Sequence, residues 1–129
     1  MNGGRILVIE DNAKNLKLVR DVLSHDGYEV IEARNAEDGI ALAEEQLPDL
    51  VLMDIQLPGM DGMEALKVLK GSDRGSSVPI VAVTAFAMKD DRARALDAGF
   101  DDYLEKPISL HALREVVHGY LPGRDGHDG

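Results

Sequence analysis

The most restrictive feature of this sequence is an alternation. Five short apolar runs, each too brief for a helix, are separated by segments whose apolar residues recur at helical spacing. The middle run, Leu50-Val51-Leu52-Met53-Asp54, ends abruptly on a carboxylate and leads into the turn sequence Leu57-Pro58-Gly59-Met60-Asp61-Gly62. Such a run reads as a strand buried on both faces. Ile6-Leu7-Val8-Ile9 is a second, closed by Glu10-Asp11-Asn12, and Ile80-Val81-Ala82-Val83, introduced by Pro79, is another that ends on Thr84-Ala85. Tyr28 to Ala33 sets Val30 and Ile31 among charged residues, as expected near a sheet edge. Asp102-Tyr103-Leu104-Glu105 is a short last strand closed by Lys106-Pro107.

The intervening segments carry helix signals. Asn12 is placed to cap a helix with Leu16, Val19, Val22 and Leu23 on one face, stopped by Asp26-Gly27. Asn35 opens a second, with Ala36, Ile40, Ala43 and Leu47 on one face and Pro48 at its end. Asp61 and Glu64 have capping-box spacing for a third, carrying Met63, Leu66 and Leu69, and a polar, glycine-rich loop follows from Lys70 to Ser77. Met88 to Ala98 is rich in charge and alanine, with Gly99 placed to cap it. Ser109 caps a fifth, with Leu110, Leu113, Val117 and Leu121 on its buried face.

Strands and helices alternating in this way require a parallel sheet covered on both faces. Right-handed crossovers then favour an α/β, five-stranded, doubly wound sandwich, flavodoxin-like (βα)5, in the strand order 2-1-3-4-5. With 129 residues the chain reads as one domain over 1–122, followed by a disordered polar tail over 123–129. It has no cysteine, which excludes disulfide and thiolate chemistry and fits a cytoplasmic setting. No signal peptide or membrane-entering segment is evident, and a formal net charge of -10 opposes nucleic-acid binding.

In the expected topology Glu10, Asp11, Asp54, Thr84 and Lys106 emerge on one sheet edge. Each alone has an ordinary explanation: carboxylates cap helices and start turns, Thr is a strand former, and a Lys before Pro can be a solvated loop charge. Their convergence points elsewhere. Crowded carboxylates need a cation, and an all-oxygen donor set favours magnesium, with manganese as a second candidate. A nearby lysine suits a phosphoryl oxygen, so the edge reads as built for phosphoryl transfer to or from an aspartate. The histidines at 25, 111, 118 and 127 share no ligand spacing and read as surface residues, and Met53, Met60, Met63 and Met88 read as packing.

Four separated motifs then carry a resemblance: Val8-Ile9-Glu10-Asp11-Asn12, Leu52-Met53-Asp54-Ile55-Gln56-Leu57-Pro58-Gly59-Met60-Asp61-Gly62, Val83-Thr84-Ala85, and Asp101-Asp102-Tyr103-Leu104-Glu105-Lys106-Pro107. From Arg5 to Leu121 the chain resembles a response-regulator receiver domain, the phosphoacceptor module of two-component phosphorelays, and is similar to stand-alone receivers of chemotaxis and cell-cycle type. The resemblance implies that Asp54 accepts a phosphoryl group from a histidine of a kinase or histidine phosphotransferase. It implies direct metal binding by Asp11, Asp54 and the backbone carbonyl of Gln56, with Glu10 acting through water. It makes Lys106, Thr84 and the Ala85 amide the phosphoryl-binding groups, and Thr84 with Tyr103 the switch. It further implies a cis Lys106-Pro107 peptide, and that Gln56 and Phe86 tune how fast the phosphoryl group is lost.

The resemblance further implies that the chain catalyses only its own phosphorylation and dephosphorylation. It implies output to a downstream protein through the fourth helix, fifth strand and fifth helix, with Met88 to Arg94, Tyr103, Arg114, Glu115 and His118 as the candidate surface. Both monomer and weak dimer fit. Three other readings stay open. A receiver excised from a hybrid histidine kinase would look the same, although Met1 directly before the first strand favours a complete small protein. A phosphorylation-independent adaptor would not need its intact acceptor, metal and switch residues. An aspartate-nucleophile phosphatase would carry a second Asp two residues after the nucleophile, where this chain has Gln56.

Overall fold

The computed structural model describes residues 4–60, 62–72, 77–85 and 89–121, the last stretch with side chains from Arg92 onward. Asp61, Phe86, Met88, His127 and the 123–129 tail lie outside the described residues. The chain runs β1 (Arg5–Ile9), α1 (Ala13–His25), β2 (Glu29–Ala33), α2 (Ala36–Gln46), β3 (Leu50–Asp54), α3 (Gly62–Lys70), β4 (Ile80–Thr84), α4 (Lys89–Ala98), β5 (Asp102–Glu105) and α5 (Leu110–Tyr120). All four strand pairings are parallel, and the order is β2-β1-β3-β4-β5. The expected doubly wound topology is the observed one.

Strand periodicity explains the two-sided core. Ile6, Val8, Leu50, Leu52, Val81 and Val83 pack on one side with Leu16, Val19 and Leu23 of α1 and Leu113 and Val117 of α5. Leu7, Ile9, Val51, Met53, Ile80 and Ala82 point to the other side, against Ala36 and Ala43 of α2, Leu66 and Leu69 of α3 and Ala95 of α4. Successive side chains alternate between faces, so a strand covered on both must be apolar at every position. β2, at the edge, is the more exposed strand that its charged residues predict.

Helix ends follow local chemistry. Asn12 Oδ1 accepts from the Lys14 and Asn15 amides at 3.0 Å each, Asn35 Oδ1 accepts from Asp38 N–H at 2.8 Å, and Ser109 Oγ accepts from Ala112 N–H at 3.2 Å. Two expected core leucines are not in the core. Leu47 is the C-cap of α2 with φ 51° and stands 51 % exposed, because the left-handed residue turns the chain out of the helix before its side chain can join the buried face. Leu110 is the first residue of α5 and is 42 % exposed, one position after its cap.

Register positions the chemistry. Ile9 pairs with Met53, Asp54 with Val83, and Thr84 with Glu105, so Glu10, Asp54, Thr84 and Lys106 reach one edge within a residue of each other. No helix among the described residues is long and apolar enough to cross a membrane.

Candidate functional site

Asp54 is the last residue of β3 and, with Glu10 and Thr84, one of three buried polar residues at this edge, only 2 % exposed. Its two oxygens are held separately. Oδ1 accepts the Gln56 N–H at 2.8 Å, an Asx-type turn that orients the carboxylate, and Oδ2 accepts from Lys106 Nζ at 2.7 Å. The same ammonium lies 3.0 Å from Glu10 Oε1 and 3.2 Å from Oε2. Lys106 is therefore no solvated loop charge, and it points into the cluster from beyond β5. The Lys106-Pro107 peptide is cis.

Glu10, Asp11 and Asp54 each bring one ligand oxygen to within 4.8 Å of the other two. Asp11 is the more open of the three. Glu10 Oε2 also accepts the Asn12 amide at 3.1 Å, while α1 is capped by Asn12 itself, so Glu10 and Asp11 are not explained as caps. Burial first, then the charge of Asp54, holds the Glu10 carboxyl above its ordinary range, against the lowering effect of the Asn12 amide and Lys106. Burial alone would depress the Lys106 ammonium; its hydrogen bonds to Asp54 and Glu10 reverse that and raise it. One ammonium does not neutralise three carboxylates. An all-oxygen cluster in which the buried Glu10 carboxyl is held above its ordinary range is suited to hold a hard divalent cation.

Thr84, 2 % exposed at the end of β4, and the amide of Ala85 face the same edge. The Gln56 side chain reaches them: Oε1 accepts from Ala85 N–H at 3.0 Å and lies 3.4 Å from Thr84 Oγ1. Tyr103 stands further back, half-buried on β5 opposite Ala82. His25, His111 and His118 are exposed, as expected, and Met53 is core.

One participant is not among the expected site groups. Arg34, just past β2, donates from Nη2 and Nε to the Asp11 backbone carbonyl at 2.9 and 3.3 Å, pinning the loop that carries Asp11. A cation at the end of the neighbouring strand was the available signal. Gln56 is an expected position, but spacing alone does not show that its side chain turns to Ala85.

The fold and this edge define a class: a doubly wound α/β protein with a lysine-paired acidic centre at the carboxyl ends of its strands. The chain belongs to the response-regulator receiver domain family, whose profile matches residues 6–118. It is 46 % identical over 116 residues to the polar-differentiation response regulator DivK of Brucella anthropi, covering 90 % of this chain and 94 % of that one. The receiver domain of a Pseudomonas aeruginosa sensor histidine kinase, with a magnesium ion coordinated in its active-site cleft, superposes with a TM-score of 0.85 at 35 % identity, covering 94 % of this chain and 99 % of that one. A Saccharomyces cerevisiae response-regulator receiver, co-crystallised with a histidine phosphotransfer signalling protein, gives a TM-score of 0.85 at 30 % identity, over 92 % and 88 % of the two chains. The function is that of the family: a phosphoacceptor receiver in response-regulator signalling.

Proposed function

We propose that Asp54 is the phosphoacceptor, taking its phosphoryl group from a phosphohistidine of a kinase or histidine phosphotransferase in the cytoplasm. The observation that carries this is the 2.7 Å contact between Lys106 Nζ and Asp54 inside a three-carboxylate cluster. An Asp54 oxygen forms the new bond to phosphorus as the P–N bond of the donor breaks, its electron pair remaining on the imidazole nitrogen. The Gln56 N–H steadies the carboxylate, and Lys106 offsets charge spreading onto the equatorial oxygens. Asp11 and Asp54, with the Gln56 backbone carbonyl, and Glu10 through water, would hold magnesium, or manganese in its place. That ion supplies further neutralisation of the phosphoryl oxygens.

Once esterified, Asp54 carries a group of about -1.5 to -2 charge with acceptor oxygens for the Thr84 hydroxyl and the Ala85 amide. Drawing Thr84 inward makes room for Tyr103 and alters the α4-β5-α5 surface, where a downstream protein binds. That surface presents Arg92, Arg94, Leu96, Glu115 and His118 to solvent. Arg114 is already engaged by Asp26 at 2.7 and 3.1 Å and serves to anchor α5 to α1.

Incubation with acetyl phosphate and magnesium tests the assignment. The expected result is a persistent gain of one phosphoryl mass on Asp54, lost in Asp54→Asn and in the presence of chelator. Rapid turnover without accumulation would instead indicate a phosphatase, and no gain in mass an adaptor.

A further inference from the structure

The contact between Gln56 and the end of β4 has a chemistry of its own. Gln56 lies two residues beyond the acceptor and is exposed, yet its side chain does not extend into solvent. Its backbone N–H is tied to Asp54 Oδ1 at 2.8 Å, and its amide crosses from the β3 loop to Ala85, 3.0 Å from that N–H. The backbone amide is a donor, so the atom facing it must be the carbonyl oxygen; the orientation of the side-chain amide is fixed by its partner. Thr84 Oγ1 at 3.4 Å faces the same oxygen. One neutral oxygen thus sits where two donors converge, a few bonds from the nucleophile.

We propose that the Gln56 side-chain carbonyl is a placeholder for a phosphoryl oxygen, holding the Ala85 amide and the Thr84 hydroxyl until the modified Asp54 displaces it. The inference rests on the assignment of Asp54 as phosphoacceptor and adds a role for a residue whose side chain that assignment does not use. An amide oxygen carries a partial charge and a phosphoryl oxygen close to a full one, so the donors bind the newcomer more strongly and the exchange is favourable. Before modification, the amide keeps the Ala85 donor from committing to water and faces the Thr84 hydroxyl more loosely. Gln56 is thus a positioning residue that competes with the product for the same two donors. The cost of displacing it is part of the cost of switching.

Removing the acceptor should make the switched state easier to reach. Gln56→Met keeps the length without an acceptor, and Gln56→Asn keeps the amide but is one methylene too short to span to Ala85. The probe is beryllofluoride with magnesium, titrated against each full chain and followed by the Ala85 amide resonance. Both variants should half-saturate at about threefold lower beryllofluoride, and their Ala85 amide should exchange with solvent about threefold faster before it is added, the scale of one exposed neutral hydrogen bond. In all three proteins beryllofluoride should then protect that amide. Unchanged exchange, unchanged affinity, or an effect in only one variant overturns the placeholder while wild type still gains phosphoryl mass on Asp54. Absence of that mass gain in wild type overturns the phosphoacceptor assignment and this inference with it.

Discussion

Lys106 donates to Asp54 and Glu10 at once, and both carboxylates are too buried to turn to water instead. Glu10 is the strained partner. Its carboxyl is held above the ordinary 4.5, by burial first and by the neighbouring Asp54, so the folded protein binds that proton more tightly than the unfolded chain does. The stability this group contributes is therefore present below about pH 4.5 and lost as pH rises through its raised value. Lys106 has the same sign in a different window, being raised above 10.5, so its contribution stays constant through neutrality and falls only in strong alkali. Glu10→Gln keeps an acceptor for the Asn12 amide and for Lys106 but removes the charge. In metal-free protein the variant should be more stable than wild type at pH 8, because Asp54 still pairs with Lys106 while a buried charge that burial and Asp54 both disfavour is gone. Urea unfolding at pH 5 and pH 8 should show the gap closing toward acid. Parallel pH profiles in the two proteins would mean that Glu10 is not the group under strain.

At the level of elements, β3 and α3 are joined so closely that the nucleophile's position depends on a glycine. A Cβ on Gly62 would lie 2.6 Å from Ile55 Cα and 2.8 Å from the Asp54 carbonyl oxygen, both backbone atoms with no freedom to swing away. Gly62 N–H also donates to Ile55 O at 2.9 Å, closing the loop that carries Gln56. Gly62→Ala should cost about 2 kcal/mol in urea unfolding, within the usual range for overpacking, and should slow phosphoryl gain on Asp54 as the end of β3 is pushed aside. Normal stability with normal phosphorylation would show that the loop absorbs the methyl. Elements of this kind were legible because each signal is local: a short apolar run bounded by turn residues reads as a strand covered on both faces, and Asn12, Asn35 and Ser109 cap the helices they precede. Leu47 and Leu110 were misplaced because helical periodicity was extended to the residues where the helix begins or ends, and there the backbone no longer follows the helical face. The carboxylates and Lys106 could be grouped because parallel topology puts strand ends together. The contacts from Gln56 to Ala85 and from Arg34 to Asp11 join loops of different strands, and no spacing along the chain encodes them.

For the molecule as a whole, the formal charge of -10 is not spread evenly, since among the described residues three carboxylates meet at one edge of the sheet around Lys106. Two effects of added magnesium must then be separated. Any salt screens surface repulsion over roughly 10 Å at 0.1 M, and this stabilises an acidic protein gradually without saturating. Occupation of a site in the folded state stabilises by mass action, about 2.7 kcal/mol once free ligand exceeds the dissociation constant a hundredfold. Thermal unfolding of wild type against magnesium chloride should therefore rise along a saturable curve, whereas sodium chloride at matched ionic strength should give only the shallow component. Asp11→Asn, which removes the most open of the three ligands and leaves the Lys106 contacts with Glu10 and Asp54 in place, should follow the shallow curve in both salts. If that variant instead tracks wild type, the rise belongs to the charge of the whole surface, and the cluster formed by Glu10, Asp11 and Asp54 is not where the ion binds.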